Sequence, residues 1–180
     1  MEEDKDVCAR FDAKCPHPIN EEKKVCFIMM AYDKPYSKKI EIILKKSVKV
    51  AFKLEPKLSK NIKQTGSGDM YCKTVCRPIR ESTLCIADLT YNNTNIGFEF
   101  GVAQELKKPV IITVYKPKKQ IKLGKKAFEE LKKLEKKGAI QFSEVPQKIP
   151  SDMGGMLRVE YSSEEELIKK LKEQFEVKLK

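Results

Sequence analysis

The chain has no tryptophan and a single histidine among its 180 residues. That residue, His17, sits in Cys15-Pro16-His17-Pro18, a loop-like run, so catalysis built on a histidine base has little support. Arginine is scarce too. Of 37 basic residues only Arg10, Arg77, Arg80 and Arg158 are Arg; the other 33 are Lys. Readers of nucleic acid lean on the planar Arg fork for bases and phosphates. The lysines here are dispersed and mixed with Glu, as in 125–137 and 164–180. The formal charge of +11 therefore reads first as a solvated Lys/Glu surface of the thermophile kind, with a nucleic-acid partner as the lesser reading. No apolar run approaches the roughly 20 residues of a membrane span. The opening Met1-Glu2-Glu3-Asp4 is acidic and no apolar stretch follows it directly, so no signal peptide and a cytoplasmic setting are expected.

Cysteine is not scarce: there are six. Cys26 and Cys85 fall inside apolar runs and read as small buried side chains. Cys8 and Cys15 lie in a polar N-terminal arm, 1–23. Cys72 and Cys76 are four apart, which places them on one face of an α-helix. Three readings stay open for these four. They are a structural zinc or iron–sulfur site, one or two disulfides, or thiols with neither role.

From 24 to 180 the pattern alternates between strands and helices. Lys24–Tyr32 reads as a buried strand. Ser37–Phe52 has helical spacing, with Ser37 as a plausible N-cap. A weak strand falls in 53–60. Thr65–Asp69 is a loop, with Asp69 either capping the helix that follows or serving as an acid near a site. Pro78 interrupts or kinks that helix. Leu84–Leu89 and Pro109–Tyr115 read as strands, with a helix at 96–107 between them. A Lys/Glu-rich helix at 122–137, a strand at 157–161 and a helix capped by Ser162 or Ser163 complete the chain. This alternation predicts one α/β domain with a parallel sheet of about five strands and right-handed crossovers. Ligands of such sheets bind at the carboxyl ends of the strands, where strand order switches.

Glu99 stands out in that frame. At 100° per residue Ile96, Phe100, Val102, Ala103 and Leu106 share one arc of the 96–107 helix. Glu99 lies inside the arc, while Gln104 and Glu105 lie outside it. A carboxylate on a packing face is costly without some return. Placed in the helix's first turn, it would feel the positive end favouring ionisation and apolar neighbours opposing it. Such a group suits attack on a sugar's anomeric carbon, or stabilisation of an oxocarbenium-like state there. The plain alternative is a Glu capping its own helix.

The runs Ile86-Ala87-Asp88-Leu89-Thr90, Asn92-Asn93-Thr94-Asn95, Phe98-Glu99-Phe100-Gly101-Val102-Ala103 and Lys108-Pro109-Val110 resemble nucleoside 2-deoxyribosyltransferases and their TIR-like relatives. Cys26–Tyr32 resembles the first strand of the same group. The likeness spans roughly 24–115 and implies a flavodoxin-like (Rossmann-like) domain, sheet order 2-1-3-4-5, with helices on both faces. It implies that Glu99 is the nucleophile in cleavage of an N-glycosidic bond, ended by a second base, by water or by cyclisation. It implies a nucleoside, nucleotide or NAD-like ligand, no cofactor in the chemistry and a homo-oligomer. Gly101 and Ala103 fit as small residues where the helix packs on the sheet. Where the family usually carries an Asp about six residues before the nucleophile, this chain has Asn93, which hydrogen-bonds but exchanges no proton near neutrality. Asp88 and Asp69 are the remaining candidate acids, Asn93 and Asn95 candidate substrate contacts. Tyr32 either touches the sugar, orients Glu99 or is an ordinary loop aromatic. A non-catalytic nucleotide-binding or signalling module is the alternative function.

Overall fold

A run of apolar side chains at Cys26–Met29, all fully buried, makes the centre of a parallel sheet. The computed structural model describes residues 23–58, 72–91, 93–117 and 158–175, together with Glu129. The arm with Cys8 and Cys15, the loop with Asp69, and the 122–137 helix apart from Glu129 lie outside the described residues. The strands are β1 (Lys23–Met29), β2 (Glu55–Leu58), β3 (Ser82–Asp88), β4 (Val110–Tyr115) and β5 (Arg158–Tyr161). All neighbouring pairs are parallel and the order is β2-β1-β3-β4-β5, as expected.

The helices are α1 (Ser37–Phe52), α2 (Arg77–Glu81), α3 (Thr94–Glu105) and α4 (Glu164–Phe175). The helix α1 buries Ser37, Ile40, Ile43, Leu44, Ser47 and Val48, one face at 3–4 residue spacing. Ser37 is its first helical residue rather than its cap. The cap position is held by Tyr36, without a side-chain bond, and Ser37 Oγ accepts from the Lys34 N–H at 3.2 Å. The helix expected after Asp69 is, from Cys72, a π-helical turn (Cys72–Cys76) running into α2. Pro78 lies where the π turn gives way to α2, in a continuous helical path whose Cys76 is already helical. Ser163 caps α4 through its Oγ, which accepts from the Glu166 N–H at 3.3 Å.

α1 packs on α4, while α2 packs with α3 and the π-helical turn. Right-handed crossovers on either side of the β1/β3 pair put these two groups on opposite faces of the sheet. Among the described residues no helix is long and apolar enough to cross a membrane.

Two local expectations change. α3 begins at Thr94, so Glu99 is in its second turn, and Asn93 caps it by accepting from the Asn95 N–H at 2.8 Å. Gly101 does not face the sheet. It is exposed, and a Cβ added there would meet nothing within 4 Å among the described residues; only Ala103 packs inward.

Candidate functional site

Strand order switches between β1 and β3, so the segments after these two strands leave the carboxyl edge side by side. The first carries Tyr32 and Tyr36, and the second carries Tyr91. The Tyr36 N–H donates to Tyr91 Oη at 3.3 Å, tying the two segments across the switch point. Beyond it, Tyr115 ends β4 and Tyr161 ends β5. Their rings stand 5.5 Å apart, and Tyr115 meets Tyr36 at 5.7 Å on its other side. Lys39 from the first turn of α1 places its Nζ 5.2 Å from the Tyr115 ring centroid. Tyr115 and Tyr161 are buried, and Tyr32 and Tyr36 half-buried.

Asp88 ends β3 inside this wall and is 2% exposed. Its Oδ1 accepts from the Thr90 N–H at 3.1 Å. Its Oδ2 accepts from Thr113 Oγ1 at 2.9 Å and Tyr161 Oη at 3.3 Å. Burial pushes its carboxyl up to about 6, against the pull of the hydrogen bonds from Thr90, Thr113 and Tyr161. Thr90 Oγ1 in turn accepts from the Tyr115 N–H at 2.7 Å. Asp88 thus spends both oxygens on its own chain.

Glu99 is buried too, at 7% exposure, on the sheet-facing side of α3. It lies five residues past Thr94, about 7 Å along the helix axis from the rim. Its charge acts on Cys85, in the middle of β3. Burial pushes that thiol up to about 11; Ser82 and Lys108 pull it down and Glu99 pushes it up further. Side chains alternate along a strand. Asp88 shares a face with Thr113 and Tyr115, the face that Tyr36 and Lys39 cover, and Cys85 points to the other. The two carboxylates therefore flank β3 from opposite sides.

Among the other expected residues, Tyr32 packs half-buried against the core beyond β1. Asn93 has its carbonyl oxygen engaged as the α3 cap, and Asn95 is exposed in the first turn. Asp69 is outside the described residues. The same holds for Cys8 and Cys15. Cys72 is half-buried and Cys76 buried, four residues apart on a single π turn rather than on an α-helix. Among the described residues no three His, Cys, Asp or Glu side chains gather as a metal site requires. Cys26 and Cys85 are fully buried small side chains.

The tyrosine wall and Thr113 were not singled out by sequence reasoning. A signal existed: an aromatic closes β4 and β5 and another follows β3 by three residues. It becomes legible only once the strands are laid side by side.

No protein-family model and no curated protein matches the sequence. Solved structures do share the fold. A conserved protein from Enterococcus faecalis V583 is 17% identical, over 86% of this chain and 99% of that one, at a TM-score of 0.53. A 2-desoxiribosyltransferase from Leishmania mexicana is 15% identical, over 84% of this chain and 98% of that one, at a TM-score of 0.50. At such identities the likeness is one of fold.

Proposed function

We propose that this chain binds a nucleoside or nucleotide at the carboxyl edge of its sheet and cleaves the N-glycosidic bond, with Glu99 as nucleophile. The observation that carries the reading is Glu99 itself, a carboxylate kept at 7% exposure on the packing side of the helix that starts at the switch point. A buried carboxylate beside the place where this fold binds ligands marks a candidate site. The fold shared with a 2-desoxiribosyltransferase supports the same substrate class.

The chemistry balances without a cofactor. A Glu99 oxygen forms a bond to the anomeric carbon as the carbon–nitrogen bond breaks. The electron pair leaves with the base, which takes a proton from solvent. Water or a second base then attacks the anomeric carbon and frees Glu99. In this reading Tyr32, Asn93 and Asn95 border the guest, and the homo-oligomer belongs to the same proposal.

The test is base release from a panel of ribo- and deoxyribonucleosides, their 5′-monophosphates and NAD, followed by chromatography. Release from at least one member is expected; none from any overturns the enzymatic reading. A second reading is favoured by the burial of Glu99, at 7% exposure, and by its separation from Asp88 across β3. It is a nucleotide-binding or signalling module without turnover. It predicts a rise in melting temperature with a panel member whose base stays attached.

A further inference from the structure

Among the described residues, four charged side chains are buried: Arg80, Glu81, Asp88 and Glu99. Glu81 sits at the amino end of the sheet, bonded at 2.8 Å to both Lys23 and Arg77. Asp88 has no such cation in the bonds that reach it. Its hydrogen-bond partners are Thr90, through its backbone N–H and its side chain, Thr113 on β4 and Tyr161 on β5.

We propose that Asp88 is a positioning residue, whose carboxylate ties Thr90 to β4 and β5 and so fixes the launch point of α3. The link to Glu99 rests on the N-glycosidic reading; the tie itself does not. The geometry argues for this role over direct contact with a ligand. Both oxygens are engaged, the group is 2% exposed, and it lies across β3 from Glu99. The route to α3 is short. Thr90 bonds Asp88 through its N–H and Tyr115 through its hydroxyl, and Asn93 caps the helix three residues later.

A carboxylate accepts from every one of these donors; a neutral carboxyl must donate one proton of its own. The Thr113 and Tyr161 hydroxyls can turn away, whereas the Thr90 N–H cannot. Protonation therefore loosens the tie. The titratable and charged groups around it are Tyr161 on β5, Tyr115 on β4, Tyr91 in the following segment, Tyr36 before α1 and Lys39 on α1.

The absence of tryptophan makes the tie readable, because tyrosine emission is unobscured. A tyrosine hydroxyl bonded to a carboxylate is quenched. Emission is expected to rise in a single step as pH falls from 7.5 to 5, and to stay flat over that range in Tyr161→Phe and Asp88→Asn. A flat wild-type titration, or the same step in Tyr161→Phe, overturns the tie. Amide exchange at pH 7.5 gives a second readout. In Asp88→Asn the peptide spanning 89–95 exchanges at least tenfold faster while the α1 peptide is unchanged; equal exchange in both chains overturns the proposal. On an active substrate the same variant loses at least tenfold in kcat with KM changed less than threefold; an unchanged kcat removes the link to Glu99. If no panel member is cleaved, the emission and exchange results still decide the tie.

Discussion

Glu99→Gln abolishes base release and leaves the fold intact. The loss expected is on the order of a thousandfold or more, the scale seen when a covalent nucleophile is removed. Gln keeps the size and hydrogen-bonding outline of Glu but cannot form the glycosyl ester. The fold tolerates it because the amide fills the same buried space on the sheet-facing side of α3. Glu99→Ala gives the same loss of turnover. It also leaves a space beneath α3, so Gln is the cleaner variant. A Glu99→Gln chain that retains more than a tenth of the wild-type rate removes Glu99 from the chemistry.

The second large effect concerns stability and pH. In the folded chain the Asp88 carboxyl is pushed up to about 6, from an ordinary value of 3.8. A raised carboxyl favours the protonated fold, because desolvation of the anion outweighs its hydrogen bonds; the local tie and the global stability therefore move in opposite directions with pH. The carboxyl's stabilising contribution is full below about pH 4 and is lost as pH rises through about 6. The difference corresponds to about 3 kcal/mol between acid and neutral pH. Asp88→Asn does not titrate, so the wild type loses about 3 kcal/mol relative to the variant between pH 3 and pH 7.5. In a chain of this size that is a relative shift in Tm of roughly 6–12 °C. Denaturant unfolding of both chains at the two pH values measures it. Parallel pH profiles would mean that Asp88 titrates as an ordinary surface group.

The two carboxylates differ in how visible they are in the sequence. Helical periodicity alone put Glu99 on the same arc as Ile96, Phe100, Val102 and Ala103, and those five are the buried residues of α3. Burial of a helix face is a local property, so it shows in spacing. The start of the helix was less legible. Thr94 and Asn95 carry no apolar side chain to extend the pattern, so the two residues that move Glu99 into the second turn were invisible to it. The Asn93 cap is a local signal, but the same Asn stood in the resemblance as a candidate substrate contact.

Asp88 depended on what lies beside it. Its partners Thr113 and Tyr161 are 25 and 73 residues away in the chain. Nothing local joins them; strand register does. The alternation that separates Asp88 from Glu99 across β3 is elementary, yet it applies only once Asp88 is known to be the last residue of the strand. The strands themselves were plain as apolar runs. Their order is a tertiary property, and it came from a resemblance rather than from periodicity. Gly101 shows the limit of that route. A small residue next to a packing face suggested close approach to the sheet, and the helix turns it outward instead.

The most direct test of the Glu99 chemistry is to quench the chain during turnover of whichever panel member it cleaves, digest it and weigh the peptides. Covalent catalysis predicts a mass gain of one glycosyl group on the peptide containing Glu99, absent from Glu99→Gln. Steady base release with that peptide unmodified, or with the gain on another residue, would contradict it.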